Sequence, residues 1–192
     1  MLLKDSKTKK NLLKSFAGES QARNRYNIAA SQAKKDGLYV IQSVFNYTAN
    51  QEKEHAEVFY KQLKEFAGEN IHIDGDYPID NYESTLKLLK AANHNELEEY
   101  DVVYKSFSDV AMEEGFTVIS KIFSNIASIE KIHADRFEKY AKELEEGTIY
   151  KKDESVQWFC TNCGYIYEGK EAPKVCPVCE HPQGYFTVFN EL

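Results

Sequence analysis

The feature that most constrains this chain is that it repeats itself. Shifted by 78 positions, Gly37, Val40, Ile41, Phe45, Ala49, Glu52, Lys53, His55, Ala56, Phe59 and Lys61 fall on identical residues between Gly115 and Lys139. That is eleven matches over 25 positions, and Tyr26 meets Tyr104 in the same frame. The apolar members recur at intervals of three, four and seven, which is the buried stripe of an amphipathic helix. A duplicated helical hairpin closes into a four-helix bundle with a pseudo-twofold axis through its core.

Glycines punctuate the repeat. The spacing predicts helices over about 7–35, 38–66, 80–114 and 116–146, stopped by Gly37, Gly68, Gly115 and Gly147. Asp80 and Glu83 have capping-box spacing and are expected to open the third helix. The first and third junctions are tight, so their helices are antiparallel neighbours. The stretch 68–79 is long enough to cross the bundle end to end.

Carboxylates lie on the stripes that should be buried. Glu52 and His55 point from one side of the second helix, as Glu130 and His133 do from the fourth. With 22 glutamates and five histidines, about 0.6 such pairs would arise by chance, so the surroundings carry the reading. Phe45, Ala49, Ala56 and Phe59 share the face of Glu52; Phe123, Ile126, Ala127, Ala134 and Phe137 share that of Glu130. Glu19 is flanked by Leu12, Phe16, Ala22 and Tyr26, and Glu96 and Glu99 by Ala92, Val102 and Val103. The plain alternative is a set of solvated glutamates, and Glu98 shows that the third helix is acidic in general.

A lone buried carboxylate costs several kcal/mol unless it is protonated or paired. Arg23 is the nearest basic residue on these stripes. Two divalent cations resolve the repulsion, since five carboxylates and two neutral imidazoles balance them to within one charge. Oxygen donors with two nitrogens suit iron or manganese. A glutamate from each of two helices plus Glu-x-x-His from the other two is the known arrangement of carboxylate-bridged dimetal bundles.

Composition changes near Gly147. All four cysteines, the single tryptophan and three of four prolines follow it. Residues 1–147 read as the bundle, 148–156 as a polar linker and 157–192 as a second, small domain. Cys160-x-x-Cys163 and Cys176-x-x-Cys179 form a tetrahedral thiolate site, whose metal supplies folding energy that so short a segment lacks. Zinc and iron both accept four thiolates. A structural zinc ribbon is one reading; a redox-capable bundle in the same chain favours iron as its electron source.

The net charge of −7 and the lack of a basic cluster argue against nucleic acid as a partner. No apolar run approaches the roughly 20 residues of a membrane span. The lysine-rich residues 1–10 lack the apolar stretch of a signal peptide, so the expected location is cytoplasmic.

At the stretch FAGESQARNRY over 16–26, the segment QEKEH over 51–55 and the module C-x-x-C-G-Y…C-P-x-C, the chain resembles the rubrerythrin family over nearly its whole length. The resemblance implies a mainly α, ferritin-like diiron bundle with a C-terminal rubredoxin-like Fe(Cys)4 module. It implies Glu52 and Glu130 as bridging ligands, Glu19, Glu96, Glu99 and His133 as terminal ones, and His55 as a ligand that alternates with Glu99. Tyr26 and Tyr104 would donate hydrogen bonds to these carboxylates, the alternative being that both are simply core residues. The implied activity is reduction of hydrogen peroxide to water, with catalytic roles for Glu52, Glu130, Glu99, His55 and Tyr26. Electrons would come through the rubredoxin-type iron from an external reductase or small redox protein, ultimately from NAD(P)H. The chain has no Gly-x-Gly-x-x-Gly fingerprint of its own. A head-to-tail homodimer or higher oligomer would bring one subunit's module to its partner's bundle. The rival readings are a ferritin-like ferroxidase or iron store, and a zinc-stabilised tether without enzymatic activity. His72, His94 and His181 are read as surface residues.

Overall fold

The computed structural model describes residues 1–189. Helix α1 spans Lys7–Lys35 and turns at Gly37, where φ is +74°, into α2, Tyr39–Gln62. A short 3-10 turn, Lys64–Phe66, finishes that arm. The third arm is α3, Thr85–Glu98, a π-helical turn, Glu99–Val103, and α4, Tyr104–Glu113. Gly115, φ +87°, leads into α5, Thr117–Glu145. Helix α1 packs along α2, and α3 and α4 pack along α5. The result is a ferritin-like bundle of two antiparallel hairpins.

Each arm buries a stripe because its apolar residues recur at helical spacing. Two aromatic triads show the pseudo-twofold. Tyr26, Phe45 and Phe137 have ring centroids 5.1–6.1 Å apart, and the repeat-related Tyr104, Phe123 and Phe59 also lie 5.1–6.1 Å apart. Each triad belongs to its own apolar cluster, and the glutamates and histidines fill the space between the two.

The helix ends are tied across the repeat. Ser6 caps α1 through the amide of Lys9 at 3.1 Å, and Ser84 caps α3 through that of Lys87. Asp36, in the first hairpin's turn, accepts from the amide and hydroxyl of Thr85 at 3.2 and 2.6 Å. Glu114, its repeat counterpart, accepts from the amide and hydroxyl of Thr8 at 2.9 and 2.6 Å. Each hairpin thus caps the other. The expected capping box at Asp80 and Glu83 does not form. Asp80 instead accepts from Arg25 at 2.8 Å and Asn95 at 2.7 Å, so the helix starts later, behind Ser84.

The π-helical turn also alters the repeat frame. Thr8 and Thr85, Leu12 and Leu89, and Glu19 and Glu96 are equivalent at a shift of 77, whereas Tyr26 and Tyr104 need 78. The third arm carries one extra residue between Glu96 and Tyr104, and the π-helical turn absorbs it. This rotates Val102, expected on the buried face, out to solvent.

The crossover returns along α1, where Lys14 lies 3.4 Å from Asp74 and Tyr77 packs by Gly18. After α5 come three antiparallel strands in the order β2-β1-β3: β1 Lys151–Cys160, β2 Ile166–Glu171 and β3 Phe186–Val188. Strand β1 begins inside the stretch 148–156 expected as a linker; it pairs irregularly with β2 between Lys151 and Val156. Alternation along β1 buries Trp158 and Cys160 against Ala172, Cys176 and Phe186. The module rests on the α1–α2 turn. Tyr185 stacks on Tyr39 at 4.1 Å, and a Cβ on Gly184 would lie 1.8 Å from the Gly37 carbonyl oxygen.

Candidate metal centres

All four arms of the bundle deliver a carboxylate to the belt between the aromatic triads. Two groups of four converge within 4.8 Å: Glu19, Glu52, His55 and Glu130, and Glu52, Glu96, Glu130 and His133. Glu52 and Glu130 belong to both. His55 Nδ1 lies 3.1 Å from Glu52 and 3.0 Å from Glu130, and His133 Nδ1 lies 3.0 and 2.8 Å from the same pair. All six side chains are buried.

Despite this proximity, both oxygens of Glu52 and of Glu130, one each of Glu19 and Glu96, and both histidine Nδ1 atoms make no aligned hydrogen bond. Buried polar atoms are rarely left so. Lone pairs that converge on two shared points, rather than pair with one another, are what two cations require. The remaining carboxylate oxygens are satisfied from outside: Tyr26 donates to Glu96 and Tyr104 donates to Glu19. Glu99 belongs to neither group. It opens the π-helical turn and, half-buried, lines a cavity of about 210 Å³ with Ser15, Arg25, Tyr77, Asn95 and Tyr104. Arg23, expected nearest the carboxylates, points to solvent.

Protonation follows from burial. Desolvation, then the neighbouring carboxylates, pushes Glu19 and Glu99 well above the usual carboxylate range, and desolvation with Glu52 takes Glu96 to about 8. Burial would raise Glu52 too, but His133 and His55 outweigh it and hold it at about 2. Burial opposes charge on the histidines, yet Glu130 and Glu52 lift His55 to about 9 and His133 to about 12. Without metal, protons therefore take the place of cations, and metal uptake must expel them. Burial first, then the adjacent glutamates, keeps the Tyr26 and Tyr104 hydroxyls protonated, so both remain donors.

Sequence reasoning missed three residues outside this belt. His133 Nε2 lies 3.1 Å from Gln51 Oε1, and Arg136 donates to that oxygen at 3.0 Å and to Thr48 Oγ1 at 2.9 Å. The available signal was a polar residue of the repeat facing an apolar counterpart: Gln51 against Ile129.

The four cysteines also converge. Cys160 and Cys179 sulfurs are 3.8 Å apart, and Cys163 and Cys176 sulfurs 3.7 Å. Two similar knuckles present them. Gly164 N–H closes the first onto Cys160 O at 2.8 Å, and Glu180 N–H the second onto Cys176 O at 3.0 Å. Both closing residues have positive φ, +81° for Gly164 and +60° for Glu180. A backbone hydrogen bond from His181 favours the Cys179 thiolate and lowers its pKa to about 6. His181 is not the plain surface residue expected; half-buried, it meets Tyr185 edge-on at 4.8 Å. His72 and His94 are exposed.

The sequence matches the Rubrerythrin family over residues 10–141 and 87–162, and the family "Rubrerythrin, rubredoxin-like domain" over 158–187. It is 51% identical over 190 residues to the rubrerythrin of Clostridium perfringens (strain 13 / Type A), covering 98% of this chain and 97% of that one. The rubrerythrin of Nitratidesulfovibrio vulgaris is 43% identical over 188 residues, covering 98% and 97%. Among solved structures, fully reduced, all-ferrous nigerythrin superposes with a TM-score of 0.64 at 28% identity, covering 96% of this chain and 90% of that one. The carboxylate and imidazole belt accordingly takes a non-haem diiron centre, and the cysteine quartet one rubredoxin-type Fe(Cys)4.

Proposed function

The chain belongs to the rubrerythrin family, and from that premise we propose that it is a non-haem diiron peroxidase reducing hydrogen peroxide to water. The observation that carries this reading is the pair of four-ligand groups sharing Glu52 and Glu130 in one chain with a four-thiolate site. When bound, a ferrous pair supplies the two electrons that peroxide needs, one from each iron.

Glu52 and Glu130 would hold both ions, with Glu19 and His55 on one side and Glu96 and His133 on the other. Glu99 would be an alternative ligand beside the His55 side, since ferric iron prefers an anionic oxygen to a neutral nitrogen. Tyr104 and Tyr26 hold Glu19 and Glu96 in place by donating to them, and the buried carboxylates, with water, would handle the protons. The cavity of about 210 Å³ leads to Glu99 and has room for a few molecules the size of water or peroxide, at about 30 Å³ each.

An iron held by the four cysteines would supply electrons one at a time. Its module is seated at Tyr39, thirteen residues before Glu52 on α2, so about 20 Å of helix separates the module's seat from the belt. Tunnelling weakens exponentially with distance. A head-to-tail dimer, with the partner's module against this bundle, supplies the shorter route. The donor upstream is a separate reductase or small redox protein drawing on NAD(P)H, and the setting is defence against oxidative stress in the cytoplasm. No helix among the described residues is long and apolar enough to cross a membrane.

The test is a visible spectrum of the iron-loaded protein, reduced without air and then given one equivalent of peroxide. Rapid return of the red ferric-thiolate band, with slow return in air, is expected. A protein without a red band, or one taking up far more than three irons per chain, favours the tether or the iron store instead. Full turnover by a strict monomer would refute the dimer route.

A further inference from the structure

The two halves of the bundle repeat their inner ligands but not what stands behind them. We infer that Gln51, held by Arg136 and Thr48, is a positioning residue that fixes the His133 ring, and that the equivalent place beside His55 lacks such an acceptor. The inference rests on the dimetal reading of the belt and not on peroxide chemistry.

The argument begins at Arg136. A guanidinium only donates hydrogen bonds, so the Gln51 atom facing it at 3.0 Å is the carbonyl oxygen. That oxygen only accepts, so His133 Nε2, 3.1 Å away, carries the proton. When the ring is neutral, its lone pair is then on Nδ1, the atom that lies among Glu52, Glu130 and Glu96. Arg136 is itself held at its second contact, Thr48, which is fully buried. One chain of contacts fixes both the tautomer and the rotation of His133.

In the repeat frame Gln51 corresponds to Ile129, Thr48 to Ile126 and Arg136 to Val58. None of these can accept a proton from His55. Among the described residues, no protein side chain accepts from His55 Nε2, and the side chain is 8% exposed. The two imidazoles are thus matched in inner contacts and unmatched in outer ones.

The test uses the full chain loaded with zinc, which undergoes no redox change, and an excess of chelator. Histidine ring nitrogen resonances follow the release of each ion separately. In the parent protein the His55 side is expected to empty first. Gln51→Ile should speed release from the His133 side about tenfold or more, the usual range for losing such a partner, and leave the His55 side nearly unchanged. Gln51→Glu keeps an acceptor facing Arg136 and should preserve slow release. Ile129→Gln gives His55 an acceptor and should slow its side. Equal acceleration of both sides in Gln51→Ile and Gln51→Glu would mark Gln51 as merely structural and overturn the inference. An unchanged His133 side in Gln51→Ile would overturn it as well. Peroxide turnover plays no part in the readout, so a failed peroxidase reading leaves this result standing.

Discussion

The diiron belt lies between two aromatic triads inside apolar clusters that span four long helices, whereas the cysteine quartet sits in a sheet with five buried core residues, two of them ligands. In the bundle, packing builds the site and the site opposes packing, because buried carboxylates repel. In the module, little packing exists without the site, and metal holds the sheet together. The same chain therefore contains one centre that the fold tolerates and one that the fold requires.

The largest effect should come from breaking the second kind. Cys176→Ser is expected to abolish the red band and unfold 157–189, since thiolate sites contribute on the order of 10 kcal/mol to such modules. Helix melting followed by circular dichroism should be nearly unchanged; a bundle that melts with the module would end the contrast.

Metal removal sharpens the other side. Glu96, at about 8, His55, at about 9, and His133, at about 12, all bind protons more tightly folded than unfolded. The folded metal-free bundle then holds more protons than the unfolded chain, so its stability falls as pH rises from about 5 to 9. Glu52 acts in the opposite sense only below its ordinary range. Thermal melts of metal-free protein should drop across that window, while melts of loaded protein should stay nearly flat.

Next in size is Glu96→Gln. Removing a buried group that is half ionised at pH 8 and must take up protons to fold should stabilise the metal-free bundle there by at least ~1 kcal/mol and reduce tight metal uptake from two ions to one. Calorimetric titration and melting read the two consequences separately. Smaller still is Tyr104→Phe, which removes the hydrogen bond to Glu19 at a cost of about 1–2 kcal/mol. Both ions should stay bound, with slower oxidation by peroxide.

The sequence carried much of this contrast. The repeat, the glycine stops and the Glu-x-x-His pairs disclosed the bundle because helical periodicity is local and strong. The cysteine spacing disclosed the module for the same reason. The start of α3 was misplaced because Asp80 serves Arg25 and Asn95, a tertiary claim that no local capping pattern reveals. Val102 was misplaced because one inserted residue shifts the helical phase. Strand β1 was hidden because its first half is polar, its pairing set by chain segments that follow it. Gln51 gives no local signal of its role, since its partner Arg136 is 85 residues away.

The reciprocal caps have a consequence for assembly. Asp36 closes the start of α3 and Glu114 closes the start of α1, so neither hairpin has a finished beginning until the other is present. Cooperative folding of the two halves follows. Nothing in either cap distinguishes a hairpin of the same chain from one of another copy. Exchange of hairpins between chains would preserve the caps, the triads and both groups of ligands. The choice between a self-contained and an interlocked bundle is therefore left to the crossover and its anchors at Lys14, Arg25 and Asn95, and shortening that segment should move the population towards exchange.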